Sequence, residues 1–264
     1  TSRLYVLGLA FFFAGRTSFY LVLAMSGLIV AVGWAYTQIC RIYPDGGGVY
    51  TAAKHKSQML AVIGALLLFA DYVVTASLSS LDAFRYFNLP QGGPLLALNS
   101  PGLWAIFAIA AIGLFNLLGP RHTGAFALFA AIGMVFITLL IAAGAIPQIN
   151  TSVSIGTPTE SPGELWIQFV SIVLALSGVE AIANLTGVMK KPVAHTARKA
   201  IWVVTLEVAI FNVVLALCMV KLASLGTDMA SRKLHQDDML AFLSQAYIGH
   251  AAEIAVRIVG GVLL

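Results

Sequence analysis

Charge is scarce in this chain. Asp, Glu, Lys and Arg together make up 10% of its 264 residues, against about 25% in a soluble domain. With 59% hydrophobic residues and a mean hydropathy of +0.92, that scarcity excludes an ordinary soluble fold and predicts an integral membrane protein. The net charge of +4 brings no basic cluster interleaved with aromatics, so no nucleic-acid partner is expected. The two cysteines, Cys40 and Cys218, lie near the ends of different apolar runs. The topology below puts them on opposite sides of the bilayer, so a disulfide between them is not expected. His55, His122, His195, His235 and His250 all fall in loops or at the edge of a run, whereas a haem held between helices needs His inside them. His-Glu-x-x-His and Gly-x-Ser-x-Gly are both missing, which leaves a membrane protease or lipase without a metal site or a nucleophile. Gly46-Gly-Gly48 lacks the following Lys-Ser/Thr of a phosphate loop, so nucleotide-driven pumping has no visible site. No enzyme activity, metal or cofactor is expected.

Long apolar runs, by contrast, fill the chain. A span needs about 20 mostly apolar residues. On that basis the runs are Leu4–Phe13, too short to cross alone, then Phe19–Cys40, Leu60–Phe84, Leu103–Leu118, Ala125–Ile146, Trp166–Met189, Ile201–Leu222 and Tyr247–Leu264. The expected fold is an all-α polytopic transmembrane bundle of about 7–8 spans. Tyr43–Tyr50, Asn88–Pro94, Gly119–Gly124 and Gln148–Gly163 read as loops from their Pro, Gly and polar content. Basic residues orient the chain. With loop 41–59 inside, the inner loops hold Arg41, Lys54, Lys56, Arg121, Lys190, Lys191, Arg198 and Lys199, against Arg16, Arg85, Lys221, Arg232 and Lys233 outside. Loops 41–59, 119–124 and 190–200 are therefore expected on the cytoplasmic face of a cell membrane. The start lacks Met, a basic n-region and a cleavage site, and the chain ends inside an apolar run. Both ends read as truncated, as in a piece of a longer protein.

Two runs carry polar stripes. In Leu60–Phe84 the residues Asp71, Thr75, Ser79 and Asp82 recur at helical spacing, and in Trp166–Met189 so do Ser177, Glu180, Asn184 and Gly187. No Lys or Arg lies within nine residues of Glu180. A carboxylate in hydrocarbon is costly, so both stripes should face protein or water. Acids without a local basic partner must bind a cation, bind a proton, or stay protonated through desolvation. Ser177-Gly178 weakens the helix beside Glu180. An acid beside a breakable intramembrane helix is the pattern of a transport site. Glu207, also mid-span, is a secondary candidate with Ser79 and Asn184. Asp82 and Glu253, close to run ends, read more simply as bonds between helices. Tyr72 reads as a packing aromatic unless Asp71 beside it is functional.

Three stretches in order carry a resemblance. Tyr43-Pro-Asp-Gly-Gly-Gly-Val-Tyr50, Ala70-Asp-Tyr-Val-Val-Thr-Ala-Ser-Leu-Ser79 and Leu176-Ser-Gly-Val-Glu-Ala-Ile-Ala-Asn184, the last followed by Met189-Lys-Lys-Pro192, resemble the second-to-third-span loop, third span and sixth span of amino acid–polyamine–organocation (APC) transporters. The resemblance implies a LeuT-type fold of two inverted five-helix repeats, with helices 1 and 6 broken at mid-membrane. Residues 1–146 would form a first repeat with an incomplete helix 1, and 166–264 the start of the second. Leu4–Phe13 shows no Gly-rich break, which departs from the family pattern.

The function implied is secondary transport of an amino acid or organic cation, coupled to a proton or sodium ion. Asp71, Tyr72, Thr75, Ser177, Gly178 and Glu180 would line the path, with Asp71 or Glu180 protonatable. The same residues are also similar to the potassium–proton symporter branch of the family, which makes potassium uptake the alternative. The short first run suggests a third reading, a non-transporting or degenerate membrane scaffold. The partners expected are a small-molecule or ion substrate and the lipid bilayer. H+, Na+ and K+ are all possible coupling ions.

Overall fold

In the structure, a computed structural model, residues 3–44, 48–87, 89, 100–117, 120–149, 152–173 and 179–264 are described. Among them every regular element is helical. Four helices run long: α2 (Ser18–Ile42), α4 (Gln58–Tyr86), α6 (Pro120–Ala145) and α9 (Val193–Lys221). At 1.5 Å per residue each exceeds the roughly 30 Å of bilayer hydrocarbon. Four segments (Arg3–Ile42, Gln58–Tyr86, Ala127–Gln148 and Val193–Lys221) are apolar and long enough to cross a membrane. The chain is an all-α membrane helix bundle.

Shorter helices complete it: α1 (Arg3–Ala14), α3 (Gly48–Lys54), α5 (Pro101–Asn116), α7 (Pro162–Ile172), α8 (Val179–Asn184), α10 (Met229–Leu234), α11 (Met239–Tyr247) and α12 (His250–Leu263). Their ends have local causes. The Ser57 hydroxyl accepts from the Leu60 amide at the start of α4, and Ser161 and Glu164 form a capping box with Pro162 in the first turn of α7. Several loops expected from the sequence are partly helical. Residues 120–124 open α6, because proline is tolerated in a first turn, where its missing N–H leaves no bond unmade. Loop 41–59 contains α3, and loop 190–200 gives way to α9 at Val193. The run Tyr247–Leu264 is divided at Gly249, whose φ of 127° suits glycine alone, so α12 starts at His250. The run Trp166–Met189 contains α7, α8 and a 3-10 turn at Leu185–Val188. Residues 174–178 between them lie outside the described residues.

The most extensive packing joins α2 and α9. They run antiparallel, as Gly33 meets Thr205 while Arg16, just before α2, meets the far end of α9. A methyl added to Gly33 would lie 2.5 Å from the Thr205 hydroxyl, so glycine lets the backbones close in. Arg16 donates to the Val220, Leu222 and Leu225 carbonyls, which a helix end leaves without intrahelical partners.

The short α1 sits in the core. Leu4, Val6, Leu7, Ala10 and Phe11 have no solvent exposure, and α2, α7, α9, α10 and α11 surround the helix. Arg3 at its start pairs with Glu207 of α9, donates to the Thr138 hydroxyl of α6 at 3.4 Å, and lies 5.1 Å from the Phe211 ring centroid. The Tyr86 hydroxyl of α4 donates to the Leu4 carbonyl at 2.8 Å. Cys218 belongs to this central core and Cys40 to a smaller one with Ala183, Ala197 and Ile201; both thiols are free.

One glycine in α1 is fixed by tertiary contact. A methyl on Gly8 would fall 1.9 Å from the Gln236 carbonyl oxygen, in the turn between α10 and α11. Backbone cannot yield as a side-chain tip does, so Gly8→Ala is expected to cost about 1–3 kcal/mol. Gly27→Ala meets nothing within 4 Å and should leave stability unchanged or slightly raised. Thermal unfolding in detergent, followed by size-exclusion profile, checks the contrast.

Candidate functional site

Asn184, the last residue of α8, joins the three stretches that carry the family resemblance. Its Nδ2 donates to the Tyr72 hydroxyl of α4 at 3.1 Å. A methyl on Gly48, which opens α3 with φ of 41°, would lie 2.8 Å from Asn184 Oδ1 and 3.0 Å from the Ala183 carbonyl. The glycine-rich loop, the Asp-Tyr-x-x-Thr helix and the Gly-x-Glu helix therefore meet at one residue. Tyr36, Tyr50, Tyr72 and Asn184 line a cavity of about 330 Å³ there. Glu180 lies on α8 four residues before Asn184, on the same helical face. Its side chain lies outside the described residues, as do Ser177 and Gly178 entirely.

The stripe on α4 divides between two places. Tyr72 faces Asn184. Thr75, Ser79 and Asp82 line a second cavity of about 260 Å³, together with Tyr5 and Leu9 of α1, Arg85, and Gln236–Asp237 of the α10–α11 turn. Asp71 is half-buried and lines neither cavity, and among the described residues it carries no ion pair. Expecting a single shared cavity for the whole stripe therefore simplifies the observed geometry. The physical reason is length. Asp71 to Asp82 covers three helical turns, about 16 Å, and different neighbours pack against the two ends of that stretch.

Glu207 is placed apart from both cavities, in the ion pair with Arg3. Sequence reading left its role open because Arg3 is 204 positions away. No spacing rule links residues so far apart.

A charged network at the α10–α11 turn was not foreseen as a unit. Arg85 Nη1 lies 2.9 Å from Asp82 and 3.0 Å from Asp237. Arg257 of α12 binds Glu253 at 2.9 Å and Asp238 at 3.0 Å. His235 Nδ1 lies 3.3 Å from Asp238, with its ring stacked on Phe242 at 3.9 Å, and His250 Nδ1 lies 3.0 Å from Glu253. The pairs Asp82/Arg85 and Glu253/Arg257 were legible as helical i,i+3 and i,i+4 spacings. Their joining through Asp237-Asp238 was not. Burial alone would push the Asp238 carboxyl up, but hydrogen bonds from His235 and Arg257 outweigh it and hold it below the usual carboxylate range.

Comparison with known proteins bears on the family. The sequence profile of the amino acid permease family matches residues 4–264. Potassium transporter KimA of Bacillus subtilis (strain 168) is 27% identical to the chain over 200 residues, which cover 69% of the chain and 32% of that protein. The chain thus spans about a third of that relative's length.

Two outcomes follow from the ion pairs. Removing one partner of a buried pair costs about 3–5 kcal/mol. Glu207 keeps 25% side-chain exposure, so Arg3→Gln or Glu207→Gln is expected to cost about 2 kcal/mol. The double variant should be no less stable than the worse single, and a double-mutant cycle of unfolding measurements reads this coupling. The second outcome concerns acid. Because the folded-state pKa of Asp238 is depressed, its contribution is present above the unfolded value of about 3.9 and is lost as pH falls through the folded value. Thermal stability should fall on acidification below about pH 4, and Asp238→Asn should flatten that limb while lowering the plateau.

Proposed function

Because the chain belongs to the amino acid permease family of the APC superfamily, we propose that it forms part of a secondary transporter that moves potassium into the cell with a proton. The named potassium transporter among its relatives supports this cargo, and so does the arrangement of the two motif helices. The observation that carries the reading is the hydrogen bond from Asn184 to Tyr72. It holds the helix bearing Asp71, Tyr72 and Thr75 against the helix bearing Glu180. Two acids on facing helices, with hydroxyls beside them, suit a dehydrated monovalent cation, which prefers oxygen ligands. One carboxyl holds the ion as a carboxylate while the other binds the proton, so both are carried together; that joint occupancy is the coupling.

Access to the two sides alternates as α1, α2, α7, α8 and α9 rock against α4, α5 and α12. The close packing of α2 with α9 suits movement as one body. In this arrangement loops 41–59, 119–124 and 190–200 face the cytoplasm, and the inverted-repeat organisation supplies the two halves that move.

A second reading keeps the same path and changes the cargo to an amino acid or organic cation, coupled to a proton or sodium. The family to which the chain belongs favours it. The two readings separate in a potassium-starved strain that expresses the complete gene product. Potassium transport requires rubidium uptake that Asp71→Asn and Glu180→Gln each abolish. Wild-type uptake in either variant overturns it. Uptake of a radiolabelled amino acid, unaffected by added rubidium, would favour the second reading.

A further inference from the structure

The cavity that receives Thr75 and Ser79 is closed on one side by a turn, and the Arg85 guanidinium ties that turn to α4. We infer that Arg85 is a latch that sets access to the cavity from the side of residues 235–238. This rests on the reading of Thr75, which lines the cavity, as part of the transport path.

Three features of the turn support the latch. The Arg85 Nη1 atom is shared between Asp82 on its own helix and Asp237 in the turn, at 2.9 and 3.0 Å. One positive charge thus holds two carboxylates on different elements beside each other. Without it they face each other in a half-buried setting, where like charges repel strongly. The next residue, Asp238, is tied separately to Arg257 on α12 at 3.0 Å. Releasing Arg85 therefore leaves the turn anchored at Asp238, so it swings rather than detaches. Finally, the Gln236 carbonyl sits directly on Gly8 of α1. The turn covers Leu9, Thr75 and Ser79 by contact with α1 and α4 together. A covering segment tied to α4 by one guanidinium nitrogen shared between two carboxylates, and to α12 by a second charge, has the construction of a hinged lid.

The test measures access rather than transport. Leu9→Cys places a thiol in the cavity wall, and the native thiols are buried; the same protein without Leu9→Cys sets the labelling background. The reagent is a membrane-impermeant cationic methanethiosulfonate, applied to membranes containing the complete gene product. Adding Arg85→Gln is expected to speed Leu9→Cys labelling about tenfold, the population shift that loss of one charge-assisted hydrogen bond allows. Asp237→Asn should accelerate it less, since Arg85 can still donate to the amide oxygen that replaces the carboxylate. Arg85→Lys should stay near the parent rate. If Arg85→Gln fails to reach the membrane, the ordering of Asp237→Asn above parent decides alone. Equal rates in parent, Arg85→Gln and Asp237→Asn overturn the latch. Faster labelling in a protein that takes up no rubidium leaves the latch standing and removes potassium as the cargo.

Discussion

A polar group inside a bilayer has no water to turn to, so each must find its partner within the protein. That constraint organises this bundle. The first described helix, α1 (Arg3–Ala14), is surrounded by other helices, and polar groups near its start have protein partners. Arg3 meets Glu207 and Thr138, and the Leu4 carbonyl accepts from Tyr86. The helix end of α9 is closed in the same way, by Arg16 reaching across from the start of α2. Most of the apolar stretch between Arg3 and Arg16 is buried against the helices around it, with Phe13 left exposed. The pieces of the fold that look least suited to a membrane are the ones most firmly held by its other parts.

The same constraint explains the arrangement of α4. Much of its surface is exposed Leu, Val and Phe, as lipid contact allows, yet it also carries Asp71, Thr75, Ser79 and Asp82. These polar residues are met by two different sets of neighbours. Near α8 it is Tyr72 that meets Asn184, and at the far end Thr75, Ser79 and Asp82 meet the α10–α11 turn and α1. The helix thereby links a junction where the three family motifs meet with a cavity under a charged turn.

Much of this was legible from residue order alone. Apolar length located the four long apolar segments, because a helix in lipid must be apolar for its whole crossing. Helical spacing identified the α4 stripe, because residues three and four apart share a face. The resemblance found in Tyr43–Tyr50, Ala70–Ser79 and Leu176–Asn184 agrees with the family to which the chain belongs. Helix ends were less legible. Hydropathy registers apolarity but not backbone geometry, so the division at Gly249 and the helical start at Pro120 were hidden inside apolar or loop-like sequence. The ion pairs Arg3–Glu207, Arg85–Asp237 and Arg257–Asp238 were beyond reach for another reason. They join residues far apart in the chain, and only the folded bundle decides which charges become neighbours.

The central claim is that α4 and α8 present their acids to one shared site. It is tested most directly by an electron cryomicroscopy map of the complete gene product, recorded in rubidium and in a large organic cation that cannot enter. The account requires density for the small ion within coordinating distance of both Asp71 and Glu180, absent from the second map. Carboxylates of Asp71 and Glu180 directed at acyl chains, with the two maps identical between α4 and α8, would contradict it.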